Sequence, residues 1–591
     1  MAGKYDAWTH EQLIARVQEL EQQIGAVDRI TTANLSSSNP TTSANISTSL
    51  TSHDGSESTP FRKAPKPPPK AFDASKYSTR LIALKFAYLG QKYNGFEHHK
   101  NNSTPLPTIE EELWKALVKT RLINPIPTKG DDTDYSRVDR KTFAAWDREG
   151  ADVNWDGCEY SKCGRTDRGV SAFGQVIGVR VRSNKPLPRQ PSSPPQEEDH
   201  QSTASSPIEA DSEPEPFNDL TSELPYIQLL NRVLPPQIRI YAWCPNPPEN
   251  FNARFSCKER RYKYFFTIPS FAPVPGSSGL YNTAPDNDIM REGWLDIAAM
   301  KAGCSELIGL HDFRNFCKID ASKQLTNFKR RIFHADIEKV SPLSVPSFLA
   351  HPALSSGAHQ EPKVYAFTLH GSAFLWHQVR SIVALLFLIG QRLESPSLIP
   401  QLLDIASNPT RPKYEMASDA PLVLWDCVFP HEHEVQSAED RQHGYEDRLT
   451  WVYVGDEGGV EPKSLGKGKG GAPSSMGRGK WGRGGVVDDV WEVWRGNKID
   501  ETLSALLLDK IAALGTATLD AEHAVEEQSV RIAKGGPRVF DGGDVGRAKG
   551  NYIPVLKRER QERVEVVNER YAKKKGWDTK KLETREDDAD E

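Results

Sequence analysis

Apolar positions in this chain repeat with two different periods between residues 78 and 430, and each period predicts its own elements. Strands are predicted at Leu81–Leu89, Val176–Val181, Ile238–Trp243, 329–340 and 364–370. At Tyr262–Thr267 the aromatics Tyr262, Tyr264 and Phe266 alternate with Lys263, Phe265 and Thr267, the period of a strand with two distinct faces. Helical spacing follows the Thr108/Glu111 capping box, with Ile109, Leu113 and Leu117 on one face. It recurs at 224–234, through Tyr226, Leu229, Leu230 and Val233, then at 289–308 and from Trp376 to Gln391. Each half reads as strand, helix and strands in similar order. That order predicts an α+β fold with a long mixed sheet and two pseudo-duplicated halves.

The flanks read differently. Residues 9–30 carry Leu13, Val17, Leu20, Ile24 and Val27 at alternating four- and three-residue steps, a short heptad seam for a partner helix or intramolecular packing. A Ser/Thr/Asn tract and a basic proline run link it to the core. The resulting organisation is an N-terminal region (1–78), a first core half (79–182) with an insertion at 125–158, and a disordered insertion (183–223). A second core half (224–430) and a low-complexity, Gly/Lys/Arg-rich, charged C-terminal extension (431–591) complete it. Residues 488–514 within the extension could form one short helical element.

Composition adds compartment and partner. Hydrophobic residues make up 37% and charged residues 26% of the 591, which fits a folded core carrying disordered sequence. Net charge is −5, so the whole chain does not advertise nucleic acid, yet 232–263 holds seven Arg or Lys against two acids. The seven cysteines follow no disulfide or zinc spacing, and Cys158 and Cys163 are the only close pair. They read as reduced, buried thiols with no metal. No apolar run reaches the length of a membrane span.

The densest chemistry lies in Gly164-Arg165-Thr166-Asp167-Arg168-Gly169. One carboxylate sits between two guanidiniums, which favour its ionised form, in a turn that glycine lets approach a ligand closely. Paired carboxylates would suggest glycoside hydrolysis, but no second one is placed here. A lone acid in a basic loop suits attack on, or charge pairing with, an anionic substrate.

Gly164 to Ala172 resembles the signature of the TruA family of tRNA pseudouridine synthases. Two further blocks strengthen the likeness: Phe251-Asn-Ala-Arg254-Phe-Ser-Cys257 with Arg260-Arg-Tyr262-Lys-Tyr264, and Phe374-Leu-Trp-His377-Gln-Val-Arg380. The resemblance implies Asp167 as catalytic carboxylate, Tyr262 as the tyrosine that stacks on the base and moves a proton, and Arg380 as partner of the acid. Burying an arginine among Val379, Ile382 and Val383 unpaired would be costly, which also calls for an acid. Arg165, Arg168 and Arg254 are candidate RNA contacts, and Leu422 in Ala420–Leu424 a candidate pocket floor. His377 reads as structural or RNA-contacting rather than as a base.

The family fold so implied is α+β, with pseudo-duplicated halves around a long mixed, mainly antiparallel sheet, and the chemistry needs no cofactor. Tyr88–Phe96, Gly309–Lys318 and Lys413–Cys427 further resemble the eukaryotic branch acting on uridines 38 and 39 of the anticodon stem-loop. The bacterial relatives imply a homodimer, and reduced cysteines with basic clusters suit nucleus and cytoplasm. Two other readings remain open at this point: a relative acting on other tRNA positions or other RNAs, and a non-catalytic RNA-binding protein.

Overall fold

The computed structural model describes residues 71–99, 104–127, 133–187, 217–270, 293–340, 363–431, 443–456, 484–512 and 552–577, with short pieces at 433, 435, 479–481, 514, 538–540 and 547–548. The heptad seam at 9–30, the linkers after it and most of the 183–223 insertion lie outside the described residues, as does most of the glycine-rich stretch after Lys463.

In chain order the first half contributes β1 (Ser78–Tyr88), α1 (Ile109–Lys119), α2 (Arg140–Glu149), β2 (Ser161–Lys162), β3 (Ser171–Ser183), α3 (Tyr226–Asn231) and β4 (Ile238–Cys244). The second contributes β5 (Glu259–Ile268), α4 (Ile297–Ser305), β6 (Gly309–Asp312), β7 (Lys329–Lys339), β8 (Lys363–Gly371), α5 (Gln378–Gly390), α6 (Leu398–Leu403) and β9 (Leu422–Val428). Beyond it lie β10 (Val452–Tyr453), α7 (Val486–Ala512) and α8 (Val564–Lys575).

These strands build one 10-stranded sheet in the order β10-β4-β1-β3-β9-β5-β8-β7-β6, with β2 beside β3. Pairing is antiparallel except where β3 meets β9, Ser171 opposite Val423 and Ala172 opposite Leu424. That parallel seam joins the halves.

Each half has its own core. Trp114, Leu113 and Leu117 of α1 pack with Ile82, Leu84 and Phe86 of β1 and with Val176 and Val179 of β3. Residues of α5, from Val379 to Ile389, pack with Phe367, Leu369 and Ile337 on the other side of the seam. Tyr262 packs against both cores. The predicted helix 376–391 is α5, Gln378–Gly390, buried along its whole length and apolar apart from Gln378, Arg380 and Ser381 in its first turns. No described helix is long and apolar enough to cross a membrane.

Three regions are more ordered than the sequence pattern suggests. Inside the 125–158 insertion, Asp139 caps α2 and Trp146 packs tilted against Trp114, ring centres 4.9 Å apart, while Tyr135, Val138 and Ala151 are buried. Dense charge around these few apolar residues hides them from periodicity. The ends of the 183–223 insertion are also folded: Glu223 accepts from Ser183 Oγ at 2.5 Å, Asn184 N at 2.8 Å and Arg80 Nη1 at 3.0 Å. Parts of the 431–591 extension return to the core. Asp489 of α7 pairs with buried Arg239 at 3.1 Å, and Val555 and Ala572 are fully buried. Glu394 accepts from Tyr552 Oη and Val555 N, both at 2.6 Å. A few well-placed contacts order a segment that composition alone reads as tail.

Candidate active site

The parallel register at the seam places the site. Because Ser171 opposes Val423, the loop that leads into β3 lies over the start of β9, beside β5, where Tyr264 opposes Leu422 and Tyr262 opposes Leu424. Loop residues 164–170 are fixed from below: Tyr88 Oη and Thr166 Oγ1 are 2.7 Å apart, and Gln175 bonds both N and O of Gly164. Gly169 has φ +81°, and a Cβ there would stand 2.9 Å from the Asp419 carboxyl carbon. Only glycine meets both demands at once.

The N-terminus of α5 closes the other wall. His377 takes a left-handed backbone (φ 62°) as its N-cap, turning Trp376 and His377 toward the loop. Trp376 Nε1 donates to Asp167 Oδ1 at 3.3 Å, and His377 Nε2 lies 3.3 Å from Asp167 Oδ2. Arg380, one helical turn on, places Nη1 3.9 Å from Asp167 Oδ2 and Nη2 4.0 Å from Asp419 Oδ2, while Nε donates to Ala417 O at 2.7 Å. Its side chain is 10% exposed and that of Asp167 is 32% exposed. A buried cation is thus shared between two half-open carboxylates, with its Nε–H satisfied by backbone.

Burial pushes the His377 imidazole below its ordinary range, against the pull of Asp167 and with help from Arg380 and Lys318. The ring is then neutral near pH 7, with Nε2 facing the carboxylate. Burial also pushes the Tyr262 phenol well up, so it stays protonated at neutral pH. Its ring meets Phe374 edge-on, centroids 5.0 Å apart.

All of this opens into one cleft of about 890 Å³ lined by Asp167, Tyr262, Arg380, Leu422, Arg165, Arg168 and Arg254, every residue singled out from the sequence. Their places differ. Asp167, Arg380, Tyr262 and Leu422 form its inner part, Leu422 being 5% exposed. Arg165, Arg168 and Arg254 are exposed at the rim. Arg165 Nε pairs with Glu97 at 3.1 Å, and the Arg254 guanidinium sits 5.3 Å from the centre of the Phe255 ring. The rim also carries Lys162 and Lys323.

Several contributors escaped the sequence reading. Asp419 shares Arg380 with Asp167, so the arginine has two acids where one was expected. Trp376 touches the carboxylate directly, and Lys318 stacks 4.3 Å over its ring. Arg260, 7% exposed, donates to the carbonyls of Cys163, Arg254 and Ser372 and so ties three walls of the cleft together. Trp376, Arg260 and Asp419 all stand inside the quoted motifs, but nothing in its local sequence pairs Asp419 with Arg380.

Known proteins share this arrangement of sequence. A family model described as tRNA pseudouridine synthase matches residues 304–430. The chain is 38% identical over 426 residues to the tRNA pseudouridine(38/39) synthase of Saccharomyces cerevisiae, covering 72% of each protein. Against the tRNA pseudouridine(38/39) synthase of Mus musculus the identity is 37% over 444 residues, covering 74% of this chain and 71% of the relative. The tRNA pseudouridine synthase A of Methanothrix thermoacetophila is 26% identical over 324 residues, 55% of this chain and 74% of that protein.

Proposed function

The chain belongs to the tRNA pseudouridine synthase family, and from that premise we propose that it isomerises uridine to pseudouridine at positions 38 and 39 of the tRNA anticodon stem-loop. The observation that supports this most is the convergence of Asp167, Tyr262 and Arg380 in a cleft whose rim is basic.

Phosphates of the RNA backbone pair with Arg165, Arg168, Arg254 and Lys323 at the rim, which fixes register without reading sequence. The target nucleotide turns out of its stack at a cost of a few kcal/mol. Stacking on aromatic side chains returns about 1–3 kcal/mol, and Tyr262 and Phe255 face the space where the base would lie. Leu422 supplies an apolar floor.

Asp167 then acts on the ribose, either attacking C1′ or taking a proton from the sugar. By either route the C1′–N1 bond breaks and the electron pair leaves with the uracil. The ring turns, C5 bonds to C1′, and the proton on C5 is lost as N1 gains one. Atoms and electrons balance within the nucleotide. The Tyr262 phenol, held protonated, relays the C5 proton, its oxygen taking that proton as its own O–H proton passes on toward N1. Arg380 keeps a positive charge beside the carboxylate and the departing ring, while the Trp376 indole N–H aims the carboxylate.

Tritium release from a stem-loop labelled at uridine C5 tests the reading. Asp167→Ala should abolish release while retaining affinity for the RNA within a few-fold. Full release from that variant, or modification confined to positions other than 38 and 39, would overturn it.

A further inference from the structure

Beneath the cleft the fold gathers three cysteines from distant parts of the chain. The Sγ atoms of Cys163, Cys257 and Cys427 all lie within 4.8 Å of one another, and the residues are 3%, 4% and 0% exposed. Each belongs to a segment that carries a cleft residue. Cys163 opens the loop of Asp167, Cys257 closes the block of Arg254, and Cys427 follows Leu422 on β9. We propose that these three thiols form a structural zinc site that clamps the walls of the cleft together.

The geometry fits the ion. Zinc–thiolate bonds of about 2.3 Å hold three sulfurs roughly 3.8–4.0 Å apart, so side-chain shifts of less than about 1 Å complete the site. Soft sulfur ligands favour thiophilic cations over magnesium or calcium. The charge fits as well. Three thiolates around a divalent cation leave one net negative charge, and the Arg260 guanidinium acts on both Cys163 and Cys257 from its buried position. That cation makes the whole assembly neutral, which a buried site requires.

In the metal-free cluster the Cys257 thiol is protonated and donates to Glu259 O at 3.3 Å. Binding releases all three thiol protons to solvent and forms three sulfur–metal bonds, with no change of oxidation state. Among the described residues no fourth Cys, His, Asp or Glu joins the group, so the protein supplies three ligands and a water molecule would complete the tetrahedron.

The site would act by position. Arg260 bonds the carbonyls of Cys163 and Arg254, so an ion held by Cys163 and Cys257 would fix the same two backbones a second time. Removing it should loosen the loop of Asp167 without touching the carboxylate.

The test uses the full chain, produced in zinc-supplemented cells and dialysed exhaustively against metal-free buffer. Elemental analysis should find about one zinc per chain, as expected of a structural thiolate site. Cys304→Ser and Cys317→Ser, at buried cysteines outside the cluster, should keep it, and Cys427→Ser should lose it. Should Cys427→Ser fail to fold, the wild-type protein still decides. Titration with a mercurial should release zinc in step with cysteine modification, and cobalt substitution should give a thiolate-to-cobalt charge-transfer band. Zinc below a tenth of an equivalent in the wild type, zinc retained in a folded Cys427→Ser variant, or cobalt without that band would overturn the site.

Discussion

Replacing Arg380 with methionine keeps most of the buried stem and removes the charge. In the free chain Asp167 is 32% exposed, so water screens the 3.9 Å approach of the two side chains. At that distance a unit pair is worth about 1 kcal/mol at the dielectric of water and about 4 kcal/mol at an effective value near 20. Closure of the carboxylate on the reacting ribose in the transition state expels that water, moving the pair from the first regime toward the second. The difference, about 3 kcal/mol, is stabilisation that the transition state has and that the free enzyme and the bound RNA both lack. Its loss should lower kcat/KM roughly 150-fold. RNA affinity should change little, because the rim arginines are untouched, and the freed Ala417 carbonyl should cost about 1 kcal/mol of stability. Single-turnover tritium release gives the rate, filter binding the affinity, and urea denaturation the stability. A rate within threefold of wild type would refute the reasoning. So would a loss matched by an equal loss of RNA binding, because the argument confines the effect to the covered carboxylate.

Other predictions follow from the same geometry. His377 has its folded pKa held below the unfolded value, so the unfolded chain binds more protons in acid. Stability from this residue is therefore complete above about pH 6.5 and declines as pH falls through the folded value. His377→Asn, which tolerates the left-handed backbone, should lose less stability than wild type between about pH 7.5 and about pH 5 in denaturant melts. Arg165→Ala and Arg254→Ala should each weaken RNA binding and reduce the slope of log affinity against log salt by about 0.7–0.9, and an unchanged slope would remove that residue from phosphate contact. Gly169→Ala meets both a positive φ and the Asp419 carboxyl, so it should destabilise the fold by about 1–3 kcal/mol and depress turnover more than tenfold. A fully active, equally stable alanine variant would show that the loop is not held as tightly as its contacts imply.

Much of the site was legible in the chain because its motifs are local. Gly164–Ala172 brackets an acid with glycines and arginines, and its chemistry needs no distant partner to be seen. The strands around Tyr262 and Val176 announce themselves by alternation, since a two-faced strand repeats every second residue. Arg380 demanded an acid as soon as its neighbours were seen to be apolar.

What the chain alone could not decide was which distant segments meet. The Ser171–Val423 register, a fact of sheet pairing, sets the Asp167 loop above Leu422 and brings Asp419 to the same arginine. Three scattered cysteines with no metal spacing become neighbours for the same reason. The order in the 125–158 insertion and in the C-terminal extension is likewise tertiary, because Trp146 and Val555 gain burial only against surfaces built elsewhere. Residue types and local periods determine what each segment can do. Only the closing of the sheet, where burial and hydrogen bonding repay the entropy of ordering distant segments, determines which of them do it together.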